Sequence, residues 1–262
     1  MRKIKIVNKK LIVFSFVLGL VISGGIAYAA NQILASDISY RDGTVESALN
    51  DLYSKANSAG YVCILTSGTA NQVGAKYACE LGDGVARNFY VLKSNIDDVE
   101  MTMERNITDE ILVNNSKMLS WNDAMVFFDE ENPGYATAQI WLTKVKEVKL
   151  PDAVVLKNVG GATNLNLDSQ GYMYFGGSAN TRSGYAWLYN YTKNCESNGC
   201  SYGYSNVDGY PGGYWTTTEV SSGTSDAWRV DWDGMLSSGV KSTSNDRGVR
   251  PVVVVAKSKL AN

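Results

Sequence analysis

The chain has 262 residues and no histidine. Without imidazole there is no ordinary general base at neutral pH, so Ser-His-Asp triads, Cys-His dyads and H-E-x-x-H metal sites are all excluded. What remains for chemistry is carboxylate and sulfur. Asp231 and Asp233, or Glu130 and Glu131, could pair as acid and base in the manner of a glycosidase. A solvated strand edge or helix end is the simpler account of each pair. Asp231 and Asp233 also resemble the start of a calcium loop, but no set of acidic ligands follows them. The chain holds no Walker-type phosphate loop, no G-x-G-x-x-G and no EF-hand loop. The reading is therefore of a non-enzyme with no cofactor and no metal.

The four cysteines are Cys63, Cys79, Cys195 and Cys200. An even count in an exported chain favours disulfides over free thiols. Of the three pairings available, Cys63 with Cys79 joins two adjacent strand-like runs and Cys195 with Cys200 closes a short loop. A four-cysteine zinc site is the rival, weakened because Cys63 and Cys79 lie too far apart in sequence to share one turn.

Export itself is read from the N-terminus. Arg2, Lys3, Lys5, Lys9 and Lys10 precede an apolar run from Leu11 to Ile22, and Ala27-Tyr28-Ala29 offers small residues where a signal peptidase would cut. An uncleaved membrane anchor is the alternative, since no charge occurs between Leu11 and Ser36. Residues 1–29 are thus a signal peptide or anchor, and the mature protein is expected outside a bacterial cell, secreted or at its surface. Lys and Arg total 24 against 26 Asp and Glu, so there is no basic excess to neutralise phosphates and nucleic acid is not an expected partner.

These residues must be positioned by a few elements. Val45, Ala48, Leu49, Leu52, Tyr53 and Ala56 fall on one face of a helix that Thr44 can cap. Residues 30–60 then form a helical connector or stalk, through which Val45–Ala56 could join copies of the chain. Tyr61–Thr66, Ala75–Leu81, Asn88–Lys93 and Val99–Ile107 read as an antiparallel meander punctuated by Gly, Asn and Asp. Ser120-Trp121-Asn122-Asp123 is a capping box opening a helix, Ala136–Val145 is a second helix, and Leu150-Pro151-Asp152 restarts a short helical turn with Pro in its first turn.

From Tyr172 to Trp232 the chain carries fourteen of its 28 aromatic residues, interleaved with Gly, Ser and Asn. Such a stretch is either a loop-covered core or a recognition surface. Within and beyond it, Tyr214–Glu219, Ala227–Trp232, Met235–Lys241 and Val252–Ala256 read as strands, with Asp233-Gly234 as a tight hairpin turn. Alternation puts Trp228, Val230 and Trp232 on one face and Arg229 and Asp231 on the other. Val252–Val255 is apolar on both faces and should run inside a sheet.

At Gly213-Tyr214-Trp215-Thr216-Thr217-Thr218, Ala227-Trp228-Arg229-Val230, Asp233-Gly234 and Arg247-Gly248-Val249-Arg250-Pro251-Val252 the chain resembles C-type-lectin-like domains of the formylglycine-generating-enzyme type. Such domains occur in secreted bacterial proteins and in the variable proteins of diversity-generating retroelements. The likeness runs from about Tyr61 to Lys257 and implies an α+β, C-type-lectin-like fold over residues 61–262. That fold has mainly antiparallel sheets, two main helices and long loops rich in Gly, Tyr and Ser. The catalytic activity of that family does not carry over, because its reactive cysteine pair lies near the C-terminal core, whereas Cys195 and Cys200 sit in a Gly/Ser/Asn loop. Nor does calcium-dependent sugar binding. Trp121-Asn122-Asp123 opens a helix, Glu131-Asn132-Pro133 has the wrong order, and both precede the long loops.

The expected function is an exported binding protein that displays an aromatic-rich C-terminal surface to a protein or cell-surface glycan. Arg229, Asp231, Asp233, Lys241, Ser244 and Asn245 are its outward-facing contacts, with Trp232 and Tyr214 as anchors. Trp215 and Trp228 are assigned to the core. The alternatives are an enzyme acting on a cell-wall polymer through carboxylates, and a structural surface subunit.

Overall fold

The computed structural model describes residues 60–192, 211–221, 225–241 and 247–261, together with strand residues 39–40 and 43–44. The chain divides into two compact units, Met1–Tyr61 and Val62–Asn262. In the first unit the described elements are β1 (Ser39–Tyr40) and β2 (Gly43–Thr44), which pair antiparallel. The signal segment, the helix expected over 44–56 beyond Thr44 itself, Cys195, Cys200, Ser244 and Asn245 lie outside the described residues. Among the described residues, no helix is long and apolar enough to cross a membrane.

The second unit is mixed α+β, mostly sheet with few short helices. Its larger sheet opens with β3 (Cys63–Ser67), β4 (Lys76–Glu80), β5 (Ala86–Ser94) and β6 (Asp98–Met103), each antiparallel to the next, which is the expected meander. It is completed by β7 (Glu147–Lys149), β12 (Val252–Ala256) and β13 (Leu260–Ala261), in the spatial order β13-β3-β4-β5-β6-β12-β7. Val252–Ala256 lies between β6 and β7, as its two apolar faces require. The last strand returns to the first strand of this unit, with Leu260 paired parallel to Cys63.

Alternation along these strands gives the sheet two unlike faces. Tyr77, Phe89, Val91, Met101, Met103, Val253 and Val255 point into one core with Trp121, Phe127 and Trp141. The first two of those come from α1 (Trp121–Met125) and the residues after it, the third from α2 (Tyr135–Leu142). Ser120 caps α1 through Asp123 N–H, as its capping box predicts. The opposite face carries Leu92 and Val252 into a second core with Ala153 and Leu156 of α3 (Ala153–Val159). Pro151 stands outside that helix, because Asp152 is the N-cap and accepts from Val154 N–H at 2.6 Å. The final strand of the meander also stops earlier than expected, since Ile107–Asp109 turns as a 3-10 helix.

The second sheet is four-stranded, in the order β8 (Tyr172–Tyr174), β11 (Met235–Val240), β10 (Asp226–Asp231) and β9 (Gly213–Glu219). Packed with it in the second core are α3 and a 3-10 segment, Arg182–Leu188. Phe175, Tyr189, Tyr214, Trp228, Val230 and Leu236 are all fully buried together. The described part of the aromatic stretch is thus largely core.

Candidate functional site

The hairpin β10–β11 is the region where the sequence placed its binding residues. Its strands pair from Asp226↔Val240 to Val230↔Leu236, and the three residues Trp232, Asp233 and Gly234 turn the chain, one more than a two-residue hairpin needs. Gly234 has φ +79° and any Cβ there would sit 2.8 Å from the Tyr189 ring, so both conformation and space demand glycine. On the other side β10 meets β9 with a bulge between Ala227 and Arg229, where the Thr216 hydroxyl donates to the Trp228 carbonyl at 2.7 Å.

The two faces of β10 sort as alternation predicts, but neither is free. Trp228 and Val230 are buried in the second core, and the Trp228 indole N–H donates to the Leu167 carbonyl at 3.0 Å. Across the strand, Ala227 and its neighbour Trp215 belong to the first core, with the Trp215 indole donating to Leu119 O at 2.9 Å. The core assignment of Trp215 and Trp228 holds. The outward assignment of Arg229, Asp231, Asp233 and Lys241 does not, because the four-stranded sheet is covered on both sides. Asp231 is 6% and Asp233 9% exposed, and the Arg229 and Lys241 side chains only 18% and 15%. Tyr214 is fully buried, its hydroxyl donates to Leu188 O at 2.8 Å, and burial pushes that hydroxyl up to about 12. It is a core residue and not a surface anchor.

Asp231 organises this edge. It accepts from Arg247 Nε at 2.9 Å, from Arg247 Nη2 and from Ser237 Oγ, and Arg229 Nε stands 3.3 Å away. Two guanidinium groups around one carboxylate fix its position. Arg229 crosses the sheet over Gly239, where a Cβ would meet its Nη1 at 2.3 Å, and its guanidinium carbon lies 5.8 Å from the Trp215 ring. Lys241 pairs with Glu219 at 2.8 Å and sits 4.7 Å over Trp121. Trp232 is half-buried beside Gly212 and Arg247. Asp233 keeps one buried carboxylate oxygen without a hydrogen-bond partner, and burial together with the charge of Asp231 pushes its carboxyl up. Glu130 and Glu131 are simply exposed.

No family model matches the chain, and no curated protein or solved structure is similar to it. The site therefore has to be read from its own geometry. Among the described residues no three His, Cys, Asp or Glu side chains gather in an arrangement that could hold a metal.

Arg250, quoted above only as part of a motif, has a central position that sequence reasoning missed. Fully buried, it donates to Asn106 Oδ1 at 3.2 Å, Leu188 O at 3.1 Å and Asn190 O at 2.7 Å, and it stacks on Tyr214 at 4.4 Å. Asn106 in turn donates to Gly213 O at 3.1 Å. One guanidinium thus ties the end of the 3-10 segment to the starts of β9 and β12. Nearby Asp109 has both carboxylate oxygens buried and unpartnered. Its carboxyl is pushed up to about 6 by burial, against the opposing charges of Arg250, Lys117 and Arg105. The signal available in the sequence was a lone Arg inside the apolar run Val249–Val255, a placement that demands dedicated acceptors.

Proposed function

We propose that this is an exported, non-enzymatic binding protein whose recognition surface is the turn end of the β10–β11 hairpin. The observation that carries the reading is the Asp231 cluster: Arg229, Arg247 and Ser237 held on one carboxylate beside half-buried Trp232. An aromatic side chain held against a fixed charged network gives contact area at low conformational cost, which is the physical requirement of a paratope-like surface. The partner class is a protein or a cell-surface glycan. Export rests on the N-terminal segment from Arg2 to Ala29 and is supported by the Cys63–Cys79 disulfide, a bond of oxidising compartments.

The C-type-lectin-like reading is supported by a second unit that closes its last strand, β13, onto its first, β3, and sends a long aromatic excursion out of the same sheet. Diversification by a retroelement predicts a degenerate copy of the codons for Trp228–Arg250 beside a reverse-transcriptase gene. The binding test uses the purified chain on isolated cell envelopes and on extracellular protein from the producing bacterium. Trp232→Ala should leave the melting temperature within a few degrees and abolish capture. Unchanged capture by a folded Trp232→Ala chain would move the site off this hairpin.

A further inference from the structure

On the face of the larger sheet away from the first core, three adjacent strands bring together an amine, an amide and a carboxylate. Lys76 on β4 stands opposite Tyr90 on β5, and Asn88 stands two residues before Tyr90 on the same face. Such a diagonal pair is about 7–8 Å apart at the backbone, within the combined reach of a Lys and an Asn side chain. Glu104, directly after β6, lies between them. Lys76 Nζ donates to its Oε1 at 2.7 Å, Asn88 Nδ2 donates to its Oε2 at 2.9 Å, and the Tyr90 hydroxyl donates to Oε1 at 3.0 Å. Both nitrogens are therefore bonded to the two oxygens of one carboxylate.

The carboxylate is the buried member of the cluster, with Lys76, Asn88 and Tyr90 partly exposed around it. The Glu104 side chain is 6% exposed and the Lys76 side chain 24%. Tyr90 lies under the ammonium, 5.4 Å from ring centroid to Nζ, and Trp187 packs on Tyr90 with centroids 5.4 Å apart. Burial pushes the Glu104 carboxyl up, and the charge of Lys76 with the three hydrogen bonds more than cancels it, so it is held below its usual range and ionised. Ionised and within 2.7 Å of the ammonium, it stands where it can accept a proton from Lys76 Nζ.

We propose that Lys76 and Asn88 join in an intramolecular amide bond, with Glu104 carrying the proton. The Lys76 ammonium passes one proton to Glu104, and the free Nζ attacks Asn88 Cγ. As the tetrahedral centre collapses, Glu104 returns that proton to Nδ2, the Cγ–Nδ2 bond breaks, and the second Nζ proton passes through Glu104 to the ammonia released. Lys76 ammonium and Asn88 carboxamide become one secondary amide and one ammonium ion, with Glu104 regenerated as carboxylate and no oxidant or co-reactant used. The bond would staple β4 to β5 as the disulfide staples β3 to β4, a covalent path across three strands. It is independent of what the hairpin binds.

Peptide mapping and intact mass of the full, disulfide-intact chain test it. The expected result is a chain lighter than its sequence by one ammonia beyond the disulfide hydrogens, with trypsin failing to cut after Lys76 and a branched peptide containing Lys76 and Asn88. Lys76→Arg should restore the unreduced mass, and Glu104→Gln should leave Lys76 and Asn88 unlinked in a chain that still forms the Cys63–Cys79 disulfide. Quantitative tryptic cleavage after Lys76 in the folded wild-type chain would overturn the proposal. A branch that forms fully in Glu104→Gln would overturn the role given to Glu104.

Discussion

The two sheets of the second unit solve the same packing problem by different means. The seven-stranded sheet is held by pairing of strands whose faces alternate apart from register shifts at Leu65/Ser67 and Val91/Lys93, and it carries the Cys63–Cys79 disulfide, fully buried, between directly opposed residues. The four-stranded sheet has no disulfide among its described residues, and its second face is mixed, with Ala227 and Trp215 in the first core beside a polar cluster. Asp231 accepts there from Ser237 and Arg247, with Arg229 alongside, at the margin of that core. In the first sheet a residue's place follows from its parity along the strand. In the second, parity says which side a residue is on, but not whether that side is wet, because other segments of the chain cover both sides.

The largest effect should come where the second sheet is most like an ordinary core. Trp228→Ala removes a fully buried indole and its hydrogen bond to Leu167 and should lower stability by about 3–5 kcal/mol. Chemical denaturation measures it, and a loss below about 1 kcal/mol would mean the second core is loosely packed.

For the first sheet the matching perturbation is the disulfide. Replacing both Cys63 and Cys79 by Ala opens a loop spanning a sequence separation of 16 and should cost about 3 kcal/mol. Because both residues are inaccessible in the folded chain, mild reductant should leave the bond intact until the protein is partly unfolded. Thiol labelling as a function of denaturant would show this, and labelling of the native chain at low denaturant would contradict the burial.

Asp231→Ala is where the contrast sharpens. Were Asp231 an ordinary surface residue, its loss would be within about 0.5 kcal/mol. Leaving Arg247 and Arg229 without their carboxylate instead should cost about 2–4 kcal/mol. Thermal melts of Asp231→Ala beside Lys241→Ala separate the two, since the Lys241–Glu219 pair has a half-exposed carboxylate and should contribute less than about 1 kcal/mol.

A smaller, pH-dependent effect belongs to Asp109 at the junction of the two sheets. Its native carboxyl is pushed from 3.8 up to about 6, so between those values the folded chain binds the proton more tightly than the unfolded chain. Stability from this group is therefore fully present below about pH 4 and is lost as pH rises through about 6. The shift corresponds to at most about 3 kcal/mol. Asp109→Asn should flatten that part of the stability profile. An unchanged slope would locate the titration elsewhere.

Parts of this molecule were decided by local rules that act wherever the residues occur. The meander β3–β6, the Ser120 cap, the strands around Asp233-Gly234, the two-faced valine strand and the Cys63–Cys79 pairing all follow from alternation, capping and turn chemistry, which need only neighbours in sequence. The zero histidine count removes imidazole chemistry in the same way. Burial of Tyr214, Asp231 and Asp233 could not be read so, because it depends on Leu188 and Arg247, segments distant in the chain that arrive only when the sheets pack. The clustering of Lys76, Asn88 and Glu104 is likewise a matter of register between three strands. Sequence gives each residue's side of a strand, whereas what covers that side is a sum over long-range contacts that only the folded chain performs.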